Sequence, residues 1–219
     1  MNGEILMEPF IRNDQYNFIK EKGEHLISAY ANVQDQGVLK AVKMLAVEKA
    51  EAVFEKQLDE EQGPLIKELE AITDRKELEA YLDKIKANVF SFPSITDKTL
   101  KKLFPKNKKV KLPSQDEMEN TLSYLAWEEL GSSSKLLIVP IGERLIGLQG
   151  GFQPAEKKGV CAICRKFGKV GLFTSKIKGH GAGTFTKRGN YICSDSFECN
   201  QQIQSLAYLM EFVELMRTK

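Results

Sequence analysis

Four cysteines, and no others, fall within 39 residues near the end of this 219-residue chain: Cys161-Ala-Ile-Cys164, then Cys193-Ser-Asp-Ser-Phe-Glu-Cys199. Two residues between Cys161 and Cys164 let the backbone turn so that both sulfurs face one point. A second pair completes the tetrahedral thiolate cage that Zn²⁺ accepts, and four thiolates leave no open coordination position. The pattern therefore predicts one structural Zn²⁺ rather than a catalytic metal. The alternatives are four buried or reactive thiols without metal, or a thioredoxin-like redox pair, although no βαβ pattern surrounds Cys161 and Cys164. The 28 residues between the pairs exceed the roughly 15–20 of a zinc ribbon. Asp195 is placed to cap a helix that begins at the second pair, with Glu198 three residues on. Thiolates there gain from the positive end of the helix dipole. A loop-borne knuckle joined to a pair at a helix start is the logic of a treble clef.

Disulfides persist only in oxidising compartments. Met1 to Ile11 lacks a basic stretch followed by an apolar one, so no secretory signal is expected and the cytoplasm is the expected location. No run of about 18 apolar residues exists to cross a bilayer as a helix. Apolar residues at 42% and charged residues at 28% fit a globular protein. The net charge of +2 hides an asymmetry. Residues 1–88 hold 12 Lys/Arg and 18 Asp/Glu, net −6, whereas residues 89–219 hold 20 and 12, net +8. Such a split predicts two domains, 1–88 and 89–219, with different partners.

The first domain carries apolar residues at helical spacing. They run through Tyr16, Ile19, Leu26, Tyr30 and Val33, then Leu39, Val42, Leu45, Ala46, Val53 and Leu58. Two further sets follow at Leu65, Ile66, Leu69 and Ile72, and at Leu78, Tyr81, Leu82 and Ile85. Breaks fall at Gln34 to Gly37, at Gly63-Pro64 and at Thr73-Asp74, where Glu77 can complete a capping box. Four amphipathic helices with short connections must bury their stripes against one another, so an antiparallel bundle is expected.

Past Ser91 the texture changes. Ser91 to Ser94 reads as an extended linker before and around Pro93. Lysines crowd 98–111, and Ser114 with Glu117 predicts a capped helix whose core side is Met118, Leu122, Leu125 and Ala126. Leu136 to Ile141 and Leu145 to Leu148 predict a hairpin across Gly142 to Arg144. Short runs at Gly171 to Thr174 and Tyr191 to Ile192 can add strands, and a helix is expected from Ser196 to Met216. The whole is an α+β chain: an N-terminal helical bundle followed by an α/β domain containing a four-cysteine, treble-clef-like zinc finger.

Residues 157–188 carry nine Lys/Arg and no acidic residue, with Phe167, Phe173 and Phe185 interleaved and Tyr191 just beyond. A solvated charged face is one reading; a recognition surface for phosphates or for a protein is the other. Gly179-His180-Gly181-Ala182-Gly183 resembles a phosphate cradle but lacks the GxxxxGK[ST] context. No GxSxG, HExxH or nucleophile–base pair appears, so an enzyme is not expected.

The layout resembles the FusB-type fusidic acid resistance proteins, which bind elongation factor G. The resemblance spans nearly the whole chain. Its most specific part runs from Cys161-Ala-Ile-Cys164 through Tyr191-Ile-Cys193-Ser-Asp to the terminal helix. It implies a monomeric binding protein that helps elongation factor G leave a drug-stalled ribosome and does no chemistry on the drug. It further implies that Phe167, Arg188, Tyr191 and Phe212 contact the factor, with arginine at 188 where a lysine is expected. For Phe167 and Phe212 ordinary core packing is the competing expectation. The reading from another class is a ribosome- or RNA-binding zinc protein that uses its lysines on phosphates.

Overall fold

A computed structural model describes residues 7–107, 109–113, 121–129, 131–178 and 184–217. The chain divides into two compact units, Met1–Phe90 and Ser91–Lys219.

The first unit is a helical bundle: α1 (Asn13–Asn32), α2 (Gln36–Ala52), α3 (Gln62–Lys67) continued by a 3₁₀ turn (Glu68–Ala71), and α4 (Arg75–Lys86). Its helix starts are set by local chemistry. The Asp35 carboxylate accepts from the Gly37 and Val38 amides at 2.7 and 3.0 Å, and the Asp74 carboxylate accepts from Glu77 N at 2.9 Å. Glu77 reaches back to Thr73 rather than to Asp74, accepting from its N–H and its hydroxyl at 2.8 Å each. Gly63-Pro64 does not interrupt a helix but opens α3, where the missing proline N–H would have had no partner.

Burial follows the helical stripes, with one rotation. On α2 the buried residues are Leu39, Ala46, Val47 and Ala50. Leu45 is exposed, and the helix stops six residues short of Leu58. Gly23 has no room for a side chain, because a Cβ there would run into the Leu78 side chain of α4. The two ends of the unit are tied together. Phe10 N and Ile11 N donate to Asn88 O at 2.9 and 3.0 Å, and Phe90 N donates to Ile11 O at 2.9 Å.

The second unit begins with α5 (Asp97–Leu103), capped by Thr96, whose hydroxyl accepts from Thr99 N at 3.2 Å. The lysine-rich composition of this segment concealed a short helix that buries Leu100 and is followed by a buried Phe104. Five antiparallel strands follow in the order β1-β2-β3-β6-β7: β1 (Leu125–Glu128), β2 (Ser134–Ile141), β3 (Arg144–Pro154), β6 (Val170–Lys178) and β7 (Phe185–Cys193). A small hairpin, β4 (Gly159–Val160) with β5 (Phe167–Gly168), stands apart, and α6 (Ser196–Gln202) and α7 (Ala207–Met216) close the chain. The hairpin between β2 and β3 is present, turning on Gly142 at φ +57°, a conformation glycine adopts without strain.

Two helix expectations need correction. Leu125 and Ala126 lie in β1, paired with Ile138 and Leu137, not in a helix. A short apolar run suits either period, and here cross-strand pairing decides; Ser114, Glu117 and Met118 lie outside the described residues. The terminal helix is two helices. At Ile203 the backbone turns extended (φ −69°, ψ 123°), which buries that side chain completely. The Ser205 hydroxyl then accepts from Ala207 N at 3.3 Å to start α7.

The sheet has two differently covered faces. One packs Leu137, Val139, Phe152, Phe173 and Ile192 against α6, α7 and the cysteines. On the other, Leu136, Ile138 and Leu125 pack beneath Leu100 and Phe104.

Candidate metal centre and partner surface

Cys161 follows β4, Cys164 closes the turn that leads into β5, Cys193 ends β7, and Cys199 lies in α6. The first pair is shaped by its own backbone: Arg165 N donates to Cys161 O and Cys161 N to Lys166 O, both at 3.0 Å. This tight turn holds Arg165 at φ +62°. The second pair is positioned by the cap of α6, where the Asp195 carboxylate accepts from Phe197 N and Glu198 N at 2.8 and 3.2 Å.

The sulfurs converge. All four ligand atoms lie within 4.8 Å of one another, with 3.8 Å between Cys161 and Cys199 and 3.7 Å between Cys164 and Cys193. A regular tetrahedron with Zn–S bonds of about 2.3 Å has edges of about 3.8 Å. All four residues are buried, so the donor set fits one closed, structural zinc ion. Without a metal the four thiols would share their protons unevenly. Hydrogen bonds from Cys164, Cys193 and Cys199 hold the Cys161 thiol far below its ordinary range. Sharing protons first with Cys161, together with burial, pushes Cys193 and Cys199 far above theirs. A divalent cation would take the place of those protons, which couples metal binding to folding.

Donors surround the cage. Ile163 N and Cys193 N both point at Cys161 Sγ, at 3.3 Å each. The Tyr124 side chain is buried beside the cage; burial first and the charge of the Cys199 sulfur next raise its pKa well above the phenol range. Asn200, beside Cys199, has a fully used amide. Its Oδ1 accepts from Ser123 N and Tyr124 N at 2.8 and 3.2 Å, and its Nδ2 donates to Tyr124 O and Ser196 O at 2.9 Å each. Lys135, on the core-facing row of β2, donates to Ser194 O at 2.6 Å. Burial pulls its ammonium below the ordinary lysine pKa, against the opposing pull of Glu128 and the cysteines. None of Tyr124, Lys135 or Asn200 was marked by spacing. Only the alternation of β2 places Lys135 in the row of Leu137 and Val139, and only once the strand is begun at Ser134 rather than Leu136.

The four residues implied to contact a partner do not form one patch. Phe167, 71% exposed on β5, and Tyr191, 46% exposed on β7, are open to solvent. The knuckle turn joins them: Phe167 pairs with Val160 at the end of β4, and Ala162 N donates to Tyr191 O at 2.7 Å. Arg188 is exposed, but three residues along a strand it projects from the opposite face to Tyr191, and its Nη1 donates to Leu215 O at 3.3 Å. Phe212 is 2% exposed, with its ring 5.7 Å from that of Phe173. It packs in the core beneath α7, the competing expectation for that position. Beyond the cover of α5, the Tyr191 side of the sheet exposes Gln149, Gln153, Lys176, Phe185 and Lys187. The glycine-rich segment around His180 lies outside the described residues. Among the described residues no helix is long and apolar enough to cross a membrane.

Comparisons with known proteins agree with this geometry. A family model described as elongation factor G-binding protein, N-terminal, matches residues 10–93. Another, the FBP C-terminal treble-clef zinc-finger, matches residues 103–214. Among solved structures, one titled "Structure of the fusidic acid resistance protein FusC" is 28% identical and covers 98% of this chain and 100% of its own, with a TM-score of 0.82. A comparison with curated proteins finds no match. Matched in order from bundle to cysteine cage, the chain belongs to the FusB-type family of elongation factor G-binding proteins, whose C-terminal domain is a treble-clef zinc finger.

Proposed function

We propose that this protein binds elongation factor G through its zinc-organised domain, releases the factor from ribosomes stalled by fusidic acid, and so protects the drug's target. It acts as a monomer in the cytoplasm and does no chemistry on the drug. The observation that carries this reading is the pairing of a closed zinc cage with exposed aromatics on its rim: Phe167 on the short strand β5 and Tyr191 near the end of β7 are both tied to the knuckle. Rigid, exposed aromatic side chains beside cations are the residues that anchor protein interfaces, and residues 157–188 bear nine cations and no anion to steer an acidic surface. Release follows from differential affinity: the protein must favour a conformation of the factor that the stalled ribosome cannot hold.

Sedimentation tests this reading. Ribosomes locked with elongation factor G and fusidic acid are pelleted with and without the protein. Movement of the factor into the supernatant, in proportion to added protein, is expected; a factor that stays in the pellet at saturating protein contradicts release. The basic runs at 98–111 and 157–188 favour a second reading, direct RNA binding. It requires affinity for naked RNA that falls steeply with salt, and a flat salt response removes it.

A further inference from the structure

Lys135 is 2% exposed, and lysine is almost never found so deep without a charged partner. Its ammonium lies 4.3 Å from the centre of the Phe152 ring and donates to Ser194 O at 2.6 Å, with Cys193 O 3.4 Å away. The nearest carboxylate in contact, Glu128, is 3.8 Å off and itself 57% exposed, so water screens it. An ammonium withdrawn from water at a cost of several kcal/mol therefore lacks a comparably buried counter-charge among the ion pairs described.

The cysteine cage supplies one. Four thiolates around a divalent ion leave about two net negative charges in the same apolar core, and nothing in that core other than Lys135 is described as a buried cation. The two carbonyls facing the ammonium belong to the third ligand and the residue after it, where β7 hands over to α6 and the fourth ligand. Outer groups of this kind commonly control metal affinity without touching the ion.

We infer that Lys135 is a positioning residue of the zinc centre, its fixed positive charge balancing the loaded tetrathiolate while its N–H groups hold the Cys193–Ser194 turn. Zinc retention then depends on a charge delivered from β2, 58 residues before Cys193.

The test uses the full chain and zinc itself. Lys135→Met removes charge and donor at similar length, and Lys135→Gln keeps a donor without charge. Val139→Ala, in the same row of β2, is the control for lost packing. Zinc affinity is measured by competition with a coloured chelator, beside thermal unfolding of the zinc-loaded proteins. Both Lys135 variants are expected to bind zinc ten- to a hundredfold more weakly and to fall below Val139→Ala when compared at equal thermal stability. Wild-type affinity in Lys135→Gln would overturn the charge assignment. An affinity loss no greater than that of a control equally destabilised would overturn the positioning role as a whole. Should Lys135→Met fail to fold, Lys135→Gln decides alone.

Discussion

At position 212 a phenylalanine ring fills the space between α7 and the sheet, while at 167 the same residue type stands in solvent. Their alanine variants should part company. Phe212→Ala removes a buried ring and should cost about 3–5 kcal/mol by denaturant unfolding, so any lost binding there reports a damaged fold. Phe167→Ala should stay within about 0.5 kcal/mol of wild type yet weaken elongation factor G by more than about 1 kcal/mol in a titration. Equal stability losses would contradict the burial described. The contrast shows what a sequence can reveal at this scale. Cys161, Cys164, Cys193 and Cys199 were legible because ligand spacing is a local property of the chain. Lys135 and Asn200 were not, since their partners lie 59 and 76–77 residues away. Such pairings exist only after the strands and α6 have been placed.

Among the elements, those with strong punctuation were readable and those set by pairing were not. Asp35 and Asp74 mark the starts of α2 and α4 by satisfying the first amides. Asp195 does the same for α6 and, through it, aims Cys199. Asp195→Ala should cost about 1 kcal/mol in thermal unfolding and should also speed zinc loss to a chelator, because the capped turn carries a ligand; unchanged release would detach the cap from the metal site. By contrast, β1 is not legible as a strand, because Leu122, Leu125 and Ala126 fit a helical period as well. The break at Ile203 was hidden because apolar spacing continues through it: an extended residue with a buried side chain looks, in sequence, like one more turn of helix.

On the scale of the whole molecule, the charge split and the change of texture near Ser91 fall where the chain divides, after Phe90. Each unit has its own core, and among the described residues the one cluster able to hold a metal lies in the second. Chelation should therefore abolish the β signal of the second unit in circular dichroism and leave the helices of the first, with zinc restoring it. The most direct test is a calorimetric titration of elongation factor G into the zinc-loaded chain, repeated after chelation and again after zinc is returned. Saturable binding at one factor per chain, lost without zinc and regained with it, is the expected result. Binding of equal strength to the metal-free chain, or none to the loaded one, would contradict a partner surface built on the cysteine cage.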